Sequence, residues 1–592
     1  MEGSGRRASF DSKVLFLRIV VILLFIALLA RLFWMQVSKY PDFLKGAISN
    51  KIKFIPQIPP RGQIFDRAGK PLAVNEPVFS LMYFPPMKVD QEDTYIPEIA
   101  RLLGRTPEDI KAKIAKEVDR RYPYQPIPIH DDLTLEQVTT FMENKTRLPG
   151  IFVEENNYRR RYPYGAATAH VVGYTGRISD DNLSAMLDFG FEKEEYIGKD
   201  GAERAFQEVL HGRPGGREIE VTDMRYFKRE ITYKPAKSGN DICLTIDADI
   251  QQAAYRALGN RRGTIIVSKP DTGEILALVS SPSYDPNRLH GPENADYVNG
   301  LMADKVGLPL FFRSISGKYP PGSTFKLVTA VAALETGKAS ENMQWTCRGT
   351  LDVGNRTFKE HYTPQGHGAV AFKNAIAESC DVTFWQLGIR VGSRQLGKYA
   401  AIMGFGSKLG IDLPGERVGR IPDRDYKMKY WREEWFDGDT ANMAIGQGFL
   451  EATALQVLWS VNAILAEGAV PLPHVLKAVF REGDFKEAPV PKPREIDITP
   501  NTARIVREGM RRAAIFGTCK QLKDVGISVA GKTGTADVPH GQEPHAWFVG
   551  FFPYDHPKYS IVVLIENGGK ASDSSVPVAR QFIKKLVDGD FV

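Results

Sequence analysis

The pattern of apolar and polar residues changes near residue 40 and again near residue 240. Before residue 40, the run from Val14 to Val37 is apolar except for Arg18, Arg31 and Gln36. A run of this kind reaches the roughly 20 residues that a bilayer-spanning helix needs. The pattern therefore predicts one transmembrane helix at the N-terminus.

The flanks of this run bear on whether it is a permanent anchor. Arg6, Arg7 and Lys13 precede it, and Trp34 lies where an interfacial aromatic residue is expected. A cleaved signal peptide would be followed by a small-x-small cleavage site, whereas Arg31-Leu-Phe-Trp34 follows here. A buried core helix rarely has such one-sided basic flanks. We expect an uncleaved anchor with its N-terminus in the cytoplasm.

The region from residue 38 to residue 240 alternates short helical patterns with turns. Its end, Pro214–Asn240, is rich in Gly, Lys and Arg and precedes the strand pattern Asp241–Asp247. A shift of composition like this indicates a domain boundary. The predicted domains are a cytoplasmic tail and anchor (1–37), an elongated non-catalytic pedestal of the dimerisation type (38–240) and a catalytic domain (241–592).

The last 350 or so residues show an α+β pattern. Two β-rich runs lie early and three lie late, with a mostly helical middle and an amphipathic helix at the end. The predicted strands are Gly263–Ser268, Glu274–Ser280, Ile527–Ala536, Ala546–Phe552 and Tyr559–Glu566. They imply one five-stranded antiparallel sheet that joins the two ends of the domain and is flanked by helices.

Composition and charge narrow the class of protein. The chain is 43% hydrophobic and 25% charged, as folded globular proteins are. Its net charge of +6 is spread along 592 residues and leaves no nucleic-acid footprint. Four cysteines are too few for a disulfide framework.

The first candidate for chemistry is Pro320-Pro-Gly-Ser323-Thr-Phe-Lys326. The prolines and the glycine end any helix or strand that precedes them, and an apolar helix is expected to start at the serine. Ser323 and Lys326 would then share one helical face. A neutral lysine can take the proton of a serine hydroxyl and make it a nucleophile. Taken alone, the pattern fits a helix-capping serine beside a solvated lysine better.

Two further segments are weak alone and strong in combination. Ser379-Cys-Asp381 lies between two helical patterns, and Lys532-Thr-Gly-Thr535 lies within a predicted strand. Glycine in a strand often marks a close approach by a ligand or another backbone. The three segments occur in the order and context of the penicillin-binding protein and class A β-lactamase signatures.

The chain therefore resembles the class B, monofunctional penicillin-binding proteins, most closely their elongation branch. Arg61-Gly-Gln-Ile-Phe-Asp66-Arg67 and Gly198-Lys-Asp-Gly-Ala-Glu203 resemble pedestal signatures of that family. Trp435–Thr440 before Ala444–Gly448, and Glu566-Asn-Gly-Gly569, favour the elongation branch. The division-type branch is the alternative within the family.

The resemblance implies a peptidoglycan D,D-transpeptidase. Ser323 would attack the carbonyl between the two terminal D-alanines of a donor stem peptide, with Lys326 as general base. Ser379 would pass a proton to the departing D-alanine, and Asp381 would order its loop. An acceptor amine would then resolve the acyl-enzyme, and β-lactams would acylate Ser323.

The resemblance also implies how the substrate is held. Lys532 would set the field around Ser379 and, with Thr533, Gly534 and Thr535, bind the substrate carboxylate. The backbone N–H groups of Ser323 and Thr535 would form the oxyanion hole. No cofactor is required for this chemistry.

Partners and location follow from the same resemblance. A catalytic domain outside the cytoplasmic membrane would work with a SEDS-family, RodA-type polymerase and other elongation-complex proteins. A non-catalytic β-lactam sensor or scaffold is the alternative from another class. The single anchor and the long pedestal favour the enzyme, and the anchor disfavours a secreted β-lactamase.

One cluster has a chemistry of its own. Cys347, His361, His367 and Cys380 form a possible tetrahedral zinc set by ligand type, although their spacing matches no standard zinc finger. A Cys347–Cys380 disulfide or a set of unrelated residues are the alternatives. If zinc binds, we expect it to hold the loop of Ser379.

Overall fold

The described residues of the chain fall into two compact units. The computed structural model describes residues 4–42, 44, 51–83, 92–117, 126–130, 133–144, 147–148, 151–178, 196–222, 227–360, 363–481, 483–538, 541–589 and 591. Unit 1 comprises Met1–Pro59, Pro77–Arg159 and Arg213–Lys237, and unit 2 comprises Pro60–Glu76, Arg160–Gly212 and Ser238–Val592. Each unit is described separately.

Unit 1 begins with the predicted apolar helix. Ser4–Phe33 is α-helical and continues as one π-helical turn, Trp34–Ser38. Val14–Ser38 is long and apolar enough to cross a membrane. Its large apolar side chains are exposed, as they would be on a helix whose partner is lipid.

The rest of unit 1 has a small sheet and a separate helical core. Ile52–Gln57 pairs antiparallel with Gly215–Val221, which pairs with Phe227–Lys234. The helices are Glu92–Leu103, Pro107–Glu117 and Leu135–Glu143, and Thr134 caps the last one in a capping box. The strands beside them are Ile127–His130, Ile151–Arg161 and the second half of Pro71–Tyr83.

In unit 2, the segments from the first half of the chain are fixed by a buried charge network. Glu203 is fully buried and accepts hydrogen bonds from Arg61 Nε at 2.5 Å and from Arg160 Nε at 2.7 Å. Two guanidinium groups compensate for the cost of burying the carboxylate. The elements here are short: Ile64–Phe65, Ala169–Val172, Thr175–Arg177, Tyr196–Gly198, Gly201–Ala205 and Gln207–Leu210.

The centre of unit 2 is a five-stranded antiparallel sheet, as predicted. We label its strands in chain order: β1 Gly263–Ser268, β2 Ile275–Ser281, β3 Ala530–Ala536, β4 His545–Phe552 and β5 Tyr559–Ile565. Their spatial order is β2-β1-β5-β4-β3. The early pair and the late three strands meet where β1 pairs with β5, so the expected α+β architecture is confirmed.

Helices cover both faces of this sheet. The helices that position the site are α1 Ala248–Leu258, α2 Lys326–Glu335, α3 Phe372–Glu378, α4 Asp381–Val391, α5 Arg424–Trp431, α6 Ala454–Leu465, α7 Pro500–Ile515 and α8 Ser575–Asp588. Ile265 packs into a core with α1 and α8, whereas its neighbour Ile266 packs into the core that contains α6. Side chains alternate along a strand, so a strand buried on both faces is apolar throughout.

The remaining elements of unit 2 surround this frame. The helices are Ala295–Ala303, Arg313–Ser316, Ser393–Ile402 and Asp437–Ala444. The strands are Ile242–Leu244, Gln344–Cys347, Thr350–Val353, Arg356–Lys359, Gly368–Ala371, Ala469–Val470, Leu476–Arg481, Asp484–Glu487 and Arg494–Glu495.

Candidate active site

The turn that carries Ser323 is closely packed on both sides. Gly322–Phe325 is a 3-10 turn, and α2 begins at Lys326 rather than at the serine. Gly322 has a φ of 55°, and a Cβ there would lie 2.8 Å from the Thr535 carbonyl oxygen. Its N–H donates to the Gly446 carbonyl at 2.9 Å. Glycine is required because two other backbone segments approach this turn.

Ser323 itself is partly exposed at the start of this turn. In the part of the chain that the structure describes, its hydroxyl has no hydrogen bond. Lys326, one turn further on, is fully buried. The geometry therefore leaves the serine accessible and the lysine shielded from water.

Lys326 is held by the loop that carries Ser379. Its Nζ donates to Asp381 Oδ1 at 2.5 Å, to the Ser379 carbonyl oxygen at 2.6 Å and to Ser379 Oγ at 3.2 Å. An ammonium group has three protons to donate, so these three acceptors satisfy it. The carboxylate of Asp381 makes the resting site an ion pair.

Ser379 occupies a backbone conformation that is unusual for a side-chain-bearing residue. It ends α3 with φ 61° and ψ 36°, in the left-handed region. Its hydroxyl accepts from Lys532 Nζ at 2.7 Å as well as from Lys326. One hydroxyl thus connects two lysines.

Lys532 is fully buried on the edge strand β3, which pairs with β4. Burial lowers the pKa of Lys532 well below its usual value, and the positive charge of Lys326 lowers it further. Its Nζ also donates to the Thr533 carbonyl oxygen at 2.8 Å. Burial and the charge of Lys326 thus both disfavour the charged form of Lys532 relative to an exposed lysine.

The glycine of the β3 motif allows the strand to meet the nucleophile turn. A Cβ at Gly534 would lie 2.9 Å from the Pro321 carbonyl oxygen and 3.0 Å from Thr324 Cγ2. Trp547 on β4 donates its indole N–H to the Pro320 carbonyl oxygen at 3.0 Å. These contacts bring Thr535 and Ser323 together across one cleft.

Thr518 is a residue of this site that the sequence did not reveal. Its Oγ1 accepts from Thr533 Oγ1 at 2.7 Å, next to the predicted carboxylate-binding strand. It follows α7 in a loop whose pattern carries no motif. Only the tertiary pairing of α7 with β3 places it here.

A second cluster lies behind Ser379. Ligand atoms of Cys347, Glu360, His367 and Cys380 all lie within 4.8 Å of one another. Cys347 Sγ lies 3.4 Å from His367 Nδ1, because Cys347 and Gly368 are partners on adjacent antiparallel strands. Glu360 replaces His361 in the described set, since His361 lies outside the described residues.

Glu360 links this second cluster to the catalytic loop. Its two oxygens accept the N–H groups of Asp381 at 3.1 Å and Val382 at 3.2 Å, at the start of α4. Burial raises the pKa of Glu360, and Asp381 raises it further. Burial also raises the pKa of the Cys380 thiol.

The donor set fits a zinc ion. Two thiols, one imidazole and one carboxylate are ligand types that zinc accepts in tetrahedral sites, and three of the four side chains are buried. All four cysteines are free, so no disulfide occupies the place of a metal.

Comparison with known proteins decides the family. The Penicillin binding protein transpeptidase domain matches residues 263–585, and the Penicillin-binding Protein dimerisation domain matches residues 56–244. The chain belongs to the penicillin-binding proteins. Within this family it is similar to Peptidoglycan D,D-transpeptidase MrdA of Escherichia coli strain K12, with 33% identity over 99% of this chain and 96% of the relative. The MrdA of Acinetobacter baumannii is also 33% identical, over 96% of this chain and 87% of the relative.

Solved penicillin-binding proteins share the fold. The complex between PBP2 and MreC from Helicobacter pylori matches with a TM-score of 0.79 and 29% identity, covering 91% of this chain and 99% of that one. A chain from a peptidoglycan synthase complex that coordinates polymerisation and crosslinking matches with a TM-score of 0.71 and 27% identity, covering 98% of each. The predicted resemblance to class B penicillin-binding proteins is confirmed.

Proposed function

We propose that this penicillin-binding protein is an elongation-type peptidoglycan D,D-transpeptidase that works through an acyl-enzyme on Ser323. The observation that carries the proposal is the single hydroxyl of Ser379 between Lys326 and Lys532, beside the open nucleophile turn. Two full-length relatives with the transpeptidase name support it.

The first step forms an ester and releases D-alanine. Ser323 Oγ attacks the carbonyl carbon between the two terminal D-alanines, and its proton goes to neutral Lys326. The tetrahedral oxyanion is held by the N–H groups of Ser323 and Thr535, where losing one donor typically costs about 2.7–4 kcal/mol. The C–N bond then breaks as Ser379 passes a proton to the departing amine.

Lys326 is protonated in the resting ion pair with Asp381. It must therefore lose this proton before it can act as the base for Ser323. Lys326 and Lys532 share the Ser379 hydroxyl, which lies 3.2 Å from Lys326 Nζ and 2.7 Å from Lys532 Nζ. A substrate carboxylate bound by Lys532, Thr533, Gly534 and Thr535 favours the charged form of Lys532. One proton then passes from Lys326 through Ser379 to Lys532. Substrate binding thereby makes Lys326 a base.

The second step transfers the acyl group to an amine from a neighbouring stem peptide. The amine nitrogen attacks the ester carbonyl carbon and gives its proton to Lys326, which passes it to Ser323 Oγ as the ester C–O bond breaks. A β-lactam would open on Ser323 in the same way. Its ring-opened product stays attached and blocks the approach of the amine.

The apolar helix and the relatives support a place in an elongation complex. Val14–Ser38 anchors the chain in the cytoplasmic membrane with its N-terminus inside, a pedestal over residues 38–240 and a catalytic domain over residues 241–592 outside. A RodA-type polymerase supplies the glycan strands. One solved relative is in a complex with MreC, and another is part of a peptidoglycan synthase complex.

The test compares Ser323→Ala with Ser393→Ala, a partly exposed serine without a role in the site. Full-length protein is labelled with fluorescent penicillin and then assayed for cross-linking with its polymerase. We expect Ser323→Ala to lose both signals and Ser393→Ala to keep both. A sensor or scaffold would be labelled by penicillin without any cross-linking by the wild type, and a division-type enzyme would cross-link only with a division polymerase.

We also propose that Cys347, Glu360, His367 and Cys380 hold a structural zinc ion, with His361 as a further candidate ligand. The ion would fix the N-terminus of α4 through Glu360 and Cys380, and thereby Ser379 and Asp381. Zinc content of purified full-length protein tests this, with Cys380→Ser against the distant Cys243→Ser. We expect stoichiometric zinc in the wild type and in Cys243→Ser, and its loss in Cys380→Ser. A zinc-free wild type that is acylated normally would contradict the proposal.

A further inference from the structure

Exposed aromatic side chains are concentrated in one short stretch of unit 2. Beyond Phe54, three aromatic side chains of the described residues are more than half exposed: Tyr430 at 64%, Trp431 at 55% and Phe436 at 60%. All three lie at the end of α5 or in the loop that follows it. Scattered exposed apolar residues need no explanation, but a contiguous group indicates a binding surface.

These three rings form a single surface together with two partly buried rings, those of Tyr426 and Phe449. Tyr426 lies 4.9 Å from Tyr430 and 6.0 Å from Phe449, and Trp431 lies 5.1 Å from Phe449, between ring centroids. Lys427 Nζ lies 4.9 Å from the ring centroid of Phe436. We call Tyr426, Tyr430, Trp431, Phe436 and Phe449 the aromatic platform.

The platform is attached to the segment that supports the nucleophile turn. Phe449 lies three residues after Gly446, whose carbonyl oxygen accepts the Gly322 N–H at 2.9 Å. Three residues span at most about 11 Å. With the Phe449 side chain and the Gly446–Gly322 hydrogen bond included, the Trp431 ring, 5.1 Å beyond Phe449, lies within roughly 25 Å of the backbone of Ser323.

Charged groups surround and separate the rings. Lys427 pairs with Asp439 at 2.8 Å and with Glu433 at 3.4 Å. Arg420 pairs with Glu451 at 2.7 Å and lies 4.8 Å from the Tyr426 ring centroid. A wholly apolar partner would leave these charges without water, which is costly. A ligand with flat apolar faces edged by hydroxyl and amide groups suits both the rings and the rim.

We propose that the aromatic platform binds the glycan strand that carries the stem peptide, by stacking of its N-acetylated sugar rings. This inference rests on the proposed transpeptidase function. A stem of about four residues between the sugar and the scissile bond spans at most about 14 Å, and the sugar rings of the strand extend over the remaining distance to the platform. Holding the glycan would raise the effective concentration of each stem peptide at Ser323.

The direct test is binding of peptide-free glycan chains to full-length protein in detergent. The variants are Tyr430→Ala, Trp431→Ala and Phe436→Ala, and the control is Phe485→Ala, an aromatic residue with 49% exposure outside the platform. We expect each platform variant to bind glycan about 2- to 10-fold more weakly, and the control to bind as the wild type does. Wild-type protein that binds no glycan would overturn the inference.

A second measurement separates this inference from the proposed function. Platform variants should lose more cross-linking of glycan-borne peptides than penicillin acylation, because penicillin carries no glycan. Equal losses in both assays would indicate damage to the fold and overturn the inference. Variants that bind glycan normally but no longer associate with a partner protein would also overturn it, since the platform would then be a protein-docking surface. Failure of the transpeptidase function would appear differently, as a wild type that penicillin does not label.

Discussion

The lysine–serine cluster and the Cys–His–Glu cluster lie back to back on one tripeptide, Ser379-Cys380-Asp381. In the first cluster, the partly buried hydroxyl of Ser379 lies between Lys326 and Lys532. The second encloses Cys380 with Cys347, Glu360 and His367. One side of the loop thus carries the groups of the proposed proton relay, and the other side is suited to fixing their position.

The difference between the two clusters lies in what sets their geometry. Ser323 and Lys326 are neighbours on one turn, and Lys532 sits on a sheet strand, so regular elements determine their positions. The second cluster is assembled from strand ends and loops that are distant along the chain. We therefore expect changes in the first cluster to abolish chemistry, and changes in the second to reduce it by loosening the loop.

The largest expected effect is that of Lys326→Met. Removing the base while keeping the length of the side chain should slow penicillin acylation about a thousandfold. Lys338→Met, an exposed lysine beyond the end of the same helix, is the control and should be acylated as the wild type is. Stopped-flow acylation measures both. Acylation of Lys326→Met at the wild-type rate would remove Lys326 from the mechanism.

The next effect comes from the Ser379 hydroxyl. Ser379→Gly relieves the strain of the left-handed backbone, whereas Ser379→Ala keeps the Cβ and hence the strain that the serine already has. If the hydroxyl relays protons, both variants should cross-link about a hundredfold more slowly. If only the backbone conformation matters, Ser379→Gly should retain activity, and the proposed relay would be wrong.

A smaller effect is expected behind the loop. Glu360→Gln removes a charge from the Cys–His–Glu cluster and keeps one of the two oxygens that accept the N–H groups of Asp381 and Val382. Zinc affinity and acylation rate should each fall about tenfold. Metal titration and acylation kinetics measure the two effects. If protein that has lost its zinc were acylated at an unchanged rate, the Cys–His–Glu cluster would have no effect on the lysine–serine cluster, and this prediction would be wrong.

The smallest effect is a pH dependence that belongs to the lysine pair. Because the pKa of Lys532 is lowered, Lys532 gives up its proton more readily than an exposed lysine does. As the pH falls below that lowered pKa, Lys532 binds a proton from solvent. Lys532 can then no longer accept the proton of Lys326, so Lys326 stays charged and cannot act as the base. Acylation efficiency should therefore fall with acidification, by at most about tenfold per pH unit.

The control for this pH dependence is Lys532→Arg. Arginine stays charged and takes up no further proton. This variant should be acylated slowly at every pH and should lack the acidic decline. A wild type whose acylation efficiency rises on acidification would contradict the shared-proton account.

The sequence predicted much of the fold because local patterns determine the sheet and the helices. The strand Gly263–Ser268 has its predicted bounds, and the order of early and late strands follows from their apolar runs. The residue at which a helix begins was harder to predict. α2 begins at Lys326 and not at Ser323, because the Gly322 turn is set by contacts with Thr535 and Gly446 that no local pattern records.

Some residues of the site were predicted and others were missed, because only some of them lie in segments with a local sequence pattern. The three motifs carry their own context, so the residues of the lysine–serine cluster were found. Thr518 and Glu360 were missed because each lies in an irregular segment and meets its partners through tertiary pairing. The left-handed Ser379 had no sequence signal either, since side-chain-bearing residues rarely adopt that conformation.

The position of the covalent adduct tests the central claim most directly. Full-length protein exposed briefly to penicillin is analysed by intact mass and by peptide mapping. We expect a single adduct, on the peptide that contains Ser323, and no adduct in Ser323→Ala. An adduct on another residue, or labelling that persists in Ser323→Ala, would contradict the assignment of Ser323 as the nucleophile.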